Sequence, residues 1–283
     1  MKYETYFRDS ITAVDEILQE VLPPEGQRPS ILHEAMRYAV FTGGKRFRPV
    51  LVLAAAEACG GTVQDALYPA AAIELVHAYS LVHDDLPALD NDETRRGKPT
   101  CHKQFGEAIA ILAGDGLLTL AFQTLTKVRS ARKVQQLLME LSTAAGSCGM
   151  IGGQVADLTL AQADLDLPML DYISVHKTGK LIKASTVFGA ISADAGEETK
   201  QKLLKFGELL GMAFQSVDDM IDGDGYLKLM KSREVSQKVR DLIAKAKREI
   251  KSLGDKAGKL QTIADFLIRR IPRGSHVKVD RQN

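Results

Sequence analysis

The sequence is short of three things: one-sided charge, cysteine and long apolar runs. Each shortage excludes a class of protein. Lysine and arginine number 37 against 36 aspartates and glutamates, a formal net charge of +1. That balance gives no footing for a nucleic-acid partner or an acidic membrane surface, so any pull on an anionic substrate must come from a local cluster. The three cysteines, Cys59, Cys101 and Cys148, stand at unrelated spacings and suggest reduced thiols in a cytoplasmic protein. The opening "MKYETYFRDS" lacks the apolar core of a signal peptide. No uninterrupted apolar run reaches the ~20 residues that cross a bilayer, which predicts a soluble chain without stable membrane insertion. Alternating β-branched runs with Asn-Gly or Asp-Gly turns are nearly absent, as are repeats, linkers and low-complexity tracts.

What is present is helical. Segments such as "SILHEAMRYAVF", "ALYPAAAIELVHAYSLVHDD" and "KQKLLKFGELLGMAFQSVDDMIDG" carry apolar residues at steps of three and four. Pro23, Pro24, Pro29, Pro49, Pro87, Pro99 and Pro168 fall as helix boundaries should. With 45% hydrophobic residues the 283-residue chain can bury one large core. The expectation is a single all-α domain over residues 1–271, a bundle of roughly ten helices. Small residues inside the helices, including Ala70 to Ala72, Ala108, Ala110, Ala113, Gly114 and Gly116, serve either close packing or room for a bound molecule.

The stretch "SLVHDDLPALDNDETRRGKPT" puts four carboxylates within nine residues and two arginines and a lysine directly after them. Counting back from Asp84 by four and three reaches Ser80 and His77, on one helical face. Asp84 and Asp85 close that helix at its negative end, which costs stability unless a cation compensates. Leu86-Pro87 breaks the helix and Asp90 returns a third carboxylate. Mg²⁺ takes oxygen ligands, usually one or two carboxylates with waters and substrate phosphates, and Arg95 and Arg96 can hold phosphate oxygens through forked hydrogen bonds. A calcium site or a solvated loop fits this stretch alone.

A second acidic cluster changes that reading. In "GMAFQSVDDMIDG", Asp218, Asp219 and Asp222 share a helix face with Gln215, while Phe214, Val217 and Ile221 take the other side. Carboxylates aligned on one face repel unless a counter-ion joins them. Two such banks suggest ligands for several Mg²⁺ ions and one polyphosphate. Cations are at hand: Lys45, Arg46 and Arg48 follow Gly43-Gly44 in "FTGGKRFRP", and "HKTGK" supplies Lys177 and Thr178 within an apolar segment.

Taken in order, these motifs resemble the trans-prenyltransferases, the short-chain isoprenyl diphosphate synthases of the bacterial farnesyl diphosphate synthase kind. The resemblance runs from about Met1 to Ile271, through "GGKRFRP", "HAYSLVHDDLPALDNDETRRGKPT", "GDGLL", "GGQVADL", "HKTGKL" and "GMAFQSVDDMID". It implies an isoprenoid synthase-type helical bundle around a central cavity, usually a homodimer. It implies Mg²⁺ ligands at Asp84, Asp85, Asp90, Asp218, Asp219 and Asp222, holding about three Mg²⁺ ions, with Mn²⁺ as a substitute. Arg95, Lys177, Thr178 and Gln215 would hold the allylic diphosphate, and Lys45, Arg48, His77 and Arg96 the diphosphate of isopentenyl diphosphate. The implied reaction ionises dimethylallyl or geranyl diphosphate, alkylates isopentenyl diphosphate and releases diphosphate. Catalysis would fall to Asp84, Asp85, Asp90, Arg95, Lys177, Asp218 and Asp219. Chain length would be set by Tyr79, with Ser80 beside it, about 7.5 Å below Asp84 at 1.5 Å per residue. A large aromatic there implies growth that stops at farnesyl diphosphate; a geranylgeranyl product is the alternative.

Two features depart from the family pattern. "DGDGYLKLMKS" passes almost straight from Asp222 to what resembles a later helix at Tyr226, so a lysine for the allylic diphosphate has no counterpart. Either a mobile loop belongs between about Gly223 and Leu227, or the segment is deleted. The loop around Arg129 to Arg132 is also short. "PRGSH", in the tail 272–283, reads equally as a protease-site and tag sequence or as a native end. Two other classes compete with the enzyme reading: a non-catalytic prenyl synthase subunit, which usually loses an aspartate bank, and an HD-type metal phosphohydrolase built on His83-Asp84, which needs further paired histidines.

Overall fold

A computed structural model describes residues 2–160 and 165–272. Thirteen α-helices are formed among them: α1 (Lys2–Val21), α2 (Ser30–Phe41), α3 (Phe47–Ala58), α4 (Val63–Asp84), α5 (Cys101–Phe105), α6 (Glu107–Leu125), α7 (Ala131–Ala145), α8 (Met150–Thr159), α9 (Leu167–Ile173), α10 (Lys180–Ser192), α11 (Glu197–Asp222), α12 (Ser232–Glu249) and α13 (Gly258–Arg270). A π-helix, Ser174–Gly179, joins α9 to α10. Among the described residues, strand is confined to a hairpin, β1 (Thr94–Arg95) and β2 (Lys98–Pro99), whose turn residues Arg96 and Gly97 both have positive φ. The sequence predicts one domain. Contacts gather into two compact units: residues up to Leu53 with Val63–Leu138, and Ala54–Thr62 with Met139 onward. The tail expected at 272–283 lies outside the described residues except Pro272.

In the first unit α4 is the central element. It is apolar on every side, and Ala66, Leu67, Ala70 to Leu75, Val76, Ala78, Tyr79 and Val82 are all buried, as a helix surrounded by others requires. Pro69 lies inside this helix, past its first turn, rather than at a boundary. The small residues serve close packing. A Cβ on Gly114 of α6 would lie 2.1 Å from Nε2 of His83, and one on Gly116 would lie 3.0 Å from the sulfur of Met36. His83 thus occupies the space that glycine leaves, with its Nε2 3.0 Å from the carbonyl oxygen of Ile111.

In the second unit α10 is buried from Leu181 to Ser192. Lys183 is paired there with Glu140 at 2.6 Å. The chain after Asp222 closes at once. Gly223, at φ 76, and Asp224 both return their N–H to the carbonyl of Asp219. A 3₁₀ turn, Gly225–Lys228, follows, and Lys228 is ion-paired with Asp224.

By length and composition α6 is apolar enough to cross a membrane, and 44% of its apolar window is buried among other helices. Its exposed face carries Ile111 and Leu112, 44% and 53% exposed.

Because the ring of His83 already fills the site, Gly114→Ala is expected to destabilise the protein by about 1–3 kcal/mol. Urea denaturation of the two proteins checks this, and equal midpoints would refute the packing account.

Candidate active site

The first acidic cluster is built by the end of α4 and the chain that doubles back from it. Leu86-Pro87 stops the helix, and Asp90 N–H then donates to the carbonyl of Asp84 at 2.9 Å, so the two residues come together. Asp84 is half-buried and Asp90 exposed. Asp85 differs from both, at 3% exposure. Its Oδ1 accepts from Arg95 Nε at 2.7 Å and lies 2.6 Å from Nη2 of the same guanidinium. Arg95 also reaches Asp92 at 3.2 Å. The hairpin therefore folds the cations of this stretch back onto its acids. Burial raises the pKa of Asp85 and the Arg95 hydrogen bond opposes the rise. Thr100 donates to the carbonyl of Asp92 at 2.7 Å, which ties the hairpin to the start of α5.

Beside it is a cluster of cations. Gly44, at φ 147, lies against Arg96: a Cβ there would come within 2.9 Å of Nη1. Lys45 is exposed and Arg48 half-buried. Arg46, which residue type alone does not separate from these two, is structural: it donates to Asp15 at 2.9 Å, Glu74 at 2.8 Å and the carbonyl of Val40 at 2.8 Å. Burial, with Arg48, Arg96, Arg46 and Arg95 around it, holds His77 well below the usual imidazole range. A neutral imidazole among four guanidiniums suits a polyanion. Tyr79, 5% exposed, has a buried hydroxyl with no hydrogen-bond partner, and its ring meets His83 edge-on at 5.8 Å. Ser80 Oγ donates to the carbonyl of His77 at 2.9 Å.

The second cluster ends α11. Asp219 is 7% exposed, and both its oxygens are engaged: Oδ1 by Gln215 Nε2 at 2.7 Å, Oδ2 by Tyr226 N–H at 3.0 Å. Burial raises its pKa against these two donors. Asp218 Oδ1 accepts from Arg270 at 2.9 Å, and Asp222 is exposed. Ile221, expected on the apolar side, is 48% exposed. Gln215 also accepts from Thr178 Oγ1 at 2.6 Å, and Lys177 Nζ donates to Asp157 at 2.6 Å. Lys177 and Thr178 stand on the π-helix rather than within an α-helix.

Asp157, Asp171, Tyr226 and Arg270 do not stand out in the sequence as site residues. Tyr226 is fully buried, bonds to Asp171 through its hydroxyl, and lies under the ammonium of Lys238 at 3.6 Å. Only the "GGQVADL" motif, which contains Asp157, gives a signal for any of them.

The donor set suits a hard divalent cation. Asp84, Asp90 and Asp222 offer carboxylate oxygens that reach solvent, while Asp85 and Asp219 are taken up in orienting their neighbours. No group of three or more histidine, cysteine, aspartate or glutamate side chains closes around a common centre among the described residues.

A model of polyprenyl synthetases matches residues 29–242. The chain belongs to the polyprenyl synthetase family. It is 37% identical to the geranylgeranyl diphosphate synthase of Cyanophora paradoxa over 94% of this chain and 96% of that one. It is 44% identical to geranylgeranyl pyrophosphate synthase 4 of Arabidopsis thaliana over 78% of this chain, and spans 60% of that relative's length. Among solved structures, an FPP/GFPP synthase from Zymomonas mobilis superposes with a TM-score of 0.90 at 35% identity, over 94% of this chain and 99% of that one. The all-α fold is that of its solved members.

The neutral state of His77 has a consequence for pH dependence. Below the ordinary imidazole range the unfolded chain binds a proton that folded His77 refuses, so stability falls as pH drops through about 6.5. His77→Gln is expected to flatten this part of the profile. Melting temperatures of both proteins from about pH 7.5 to about pH 5.5 test it, and parallel curves would refute it.

Proposed function

We propose that the chain is a Mg²⁺-dependent trans-prenyltransferase that condenses isopentenyl diphosphate with an allylic diphosphate and releases diphosphate. One observation carries the reading: each aspartate cluster has hydrogen-bond donors in its own framework of the kind that suits phosphate oxygens, Arg95 and Arg96 on the hairpin after the first, Gln215, Thr178 and Lys177 around the second. Asp84, Asp90 and Asp222 would hold the metal ions, with Asp85, Asp218 and Asp219 fixing the groups beside them. Bound Mg²⁺ supplies charge neutralisation for the departing diphosphate. Arg95, Lys177, Thr178 and Gln215 bind and orient the allylic diphosphate. Lys45, Arg48, Arg96 and neutral His77 hold the diphosphate of isopentenyl diphosphate. The apolar residues of α4 below Asp84 keep water from the carbocation.

For product length the position of Tyr79 supports farnesyl diphosphate. Geranylgeranyl diphosphate is the second reading, favoured by the names of several relatives. The cytoplasm suits the chain, because Cys59, Cys101 and Cys148 are free, and burial pushes the Cys101 thiol up to about 12. A homodimer fits the exposed apolar pair Ile111 and Leu112 on α6.

Chromatography of products from isopentenyl and geranyl diphosphates tests both parts of the reaction. Asp84→Ala should lower turnover about a thousandfold, and turnover near that of the unaltered chain would sink the metal assignment. Tyr79→Ala should lengthen the product beyond farnesyl, and an unchanged product removes Tyr79 as the floor. Removing the Asp219 carboxylate would also leave two N–H donors without their acceptor, at a cost of about 1–3 kcal/mol in stability. Asp219→Ala is therefore a poorer probe of metal binding than Asp84→Ala. For assembly, Ile111→Glu is expected to halve the mass seen by light scattering, and an unchanged mass would exclude α6 as the interface.

A further inference from the structure

The π-helical turn that carries Lys177 and Thr178 is gripped from two sides by the same arrangement. On α8, a Cβ at Gly153 would lie 2.1 Å from Lys177 N and 2.6 Å from the carbonyl carbon of His176. One helical turn further on, Asp157 accepts from Lys177 Nζ at 2.6 Å. On α11, a Cβ at Gly211 would lie 2.7 Å from the Cα of Gly179. One helical turn further on, Gln215 accepts from Thr178 Oγ1 at 2.6 Å. Each helix thus presents a glycine that admits the backbone of the turn and, four residues later, a polar side chain that takes the functional group.

We infer that Gly153 and Gly211 are positioning residues for Lys177 and Thr178, holding them where an allylic diphosphate binds. This rests on the function proposed above. The geometry explains why glycine is needed. A π-turn holds an extra residue relative to an α-helix, and one residue corresponds to about 100° of rotation around the axis. The π-turn therefore decides which way Lys177 and Thr178 face. An added methyl at either glycine meets backbone, which cannot swing aside as a side chain can. Either the helices part or the turn rewinds, and in both cases the ammonium and the hydroxyl leave their places. A displacement of about 1 Å at a substrate-positioning group can cost up to about a hundredfold in rate.

Three alanine variants test the inference. Gly207 is one turn before Gly211 on α11, and its Cβ would meet Thr186 Oγ1 at 2.4 Å and Lys183 Cα at 2.8 Å, both on α10 and outside the π-turn. Gly207→Ala is therefore a crowding control. Three properties are measured: KM for each substrate, calorimetric binding of inorganic diphosphate with Mg²⁺, and Tm. All three variants should lose Tm. Gly153→Ala and Gly211→Ala should raise the allylic KM and weaken diphosphate binding by about tenfold or more, with the isopentenyl KM within about twofold. Gly207→Ala should leave all the binding values unchanged. The inference is overturned by an equal shift in Gly207→Ala, by equal rises in both KM values, or by no shift at all. Failure of Gly211→Ala to fold where Gly207→Ala folds would assign the glycines to stability and overturn it too. If the unaltered chain forms no prenyl product, the proposed function fails, while the calorimetric comparison still decides on the glycines.

Discussion

Both acidic clusters stand at the C-terminal end of a long helix, α4 for one and α11 for the other. The helix dipole is negative there, so each carboxylate adds to a charge that is already unfavourable. The surroundings of both clusters follow from that constraint. In the first, the hairpin returns Arg95 to Asp85, whereas the turn after Pro87 adds the exposed Asp90 beside Asp84. In the second, Arg270 meets Asp218, and two N–H donors take the oxygens of Asp219. Carboxylates inside each cluster are compensated by the protein, and those at its edge reach solvent, where an ion carrying phosphate oxygens can join them.

Close backbone approach is the second organising device. Gly114 admits the ring of His83, the residue before Asp84, and Gly44 admits the guanidinium of Arg96. The turn after Asp222 brings Gly225 so near Asp219 that a Cβ would lie 2.0 Å from its Oδ2, which is how Tyr226 N–H reaches that oxygen. This turn occupies the place where the family resemblance implies a lysine-bearing segment. In this chain Lys228 is tied to Asp224, and Tyr226 is buried against Asp171 and Lys238.

Much of the site is legible in the amino-acid sequence because its signals are local. Steps of three and four mark α4 and α11, a proline marks the end of α4, and the aspartates, arginines and lysine declare their chemistry by type. Arg46 shows where such reading stops. It stands between Lys45 and Arg48 and looks like either, yet it is 5% exposed and serves Asp15 and Glu74. Its role comes from residues up to 31 positions away, which no local pattern encodes.

The helical class, the two aspartate clusters and the cations beside them follow from residue order alone, since periodicity and residue type act over a few positions. Three-dimensional packing was needed to decide that Asp85 and Asp219 hold neighbours in place, that Lys177 and Thr178 stand on a π-turn, and that Gly153, Gly211 and Tyr226 fix that neighbourhood. Those outcomes depend on how closely one backbone can approach another and on which donor arrives at a given oxygen. Both are set by segments far apart in the chain.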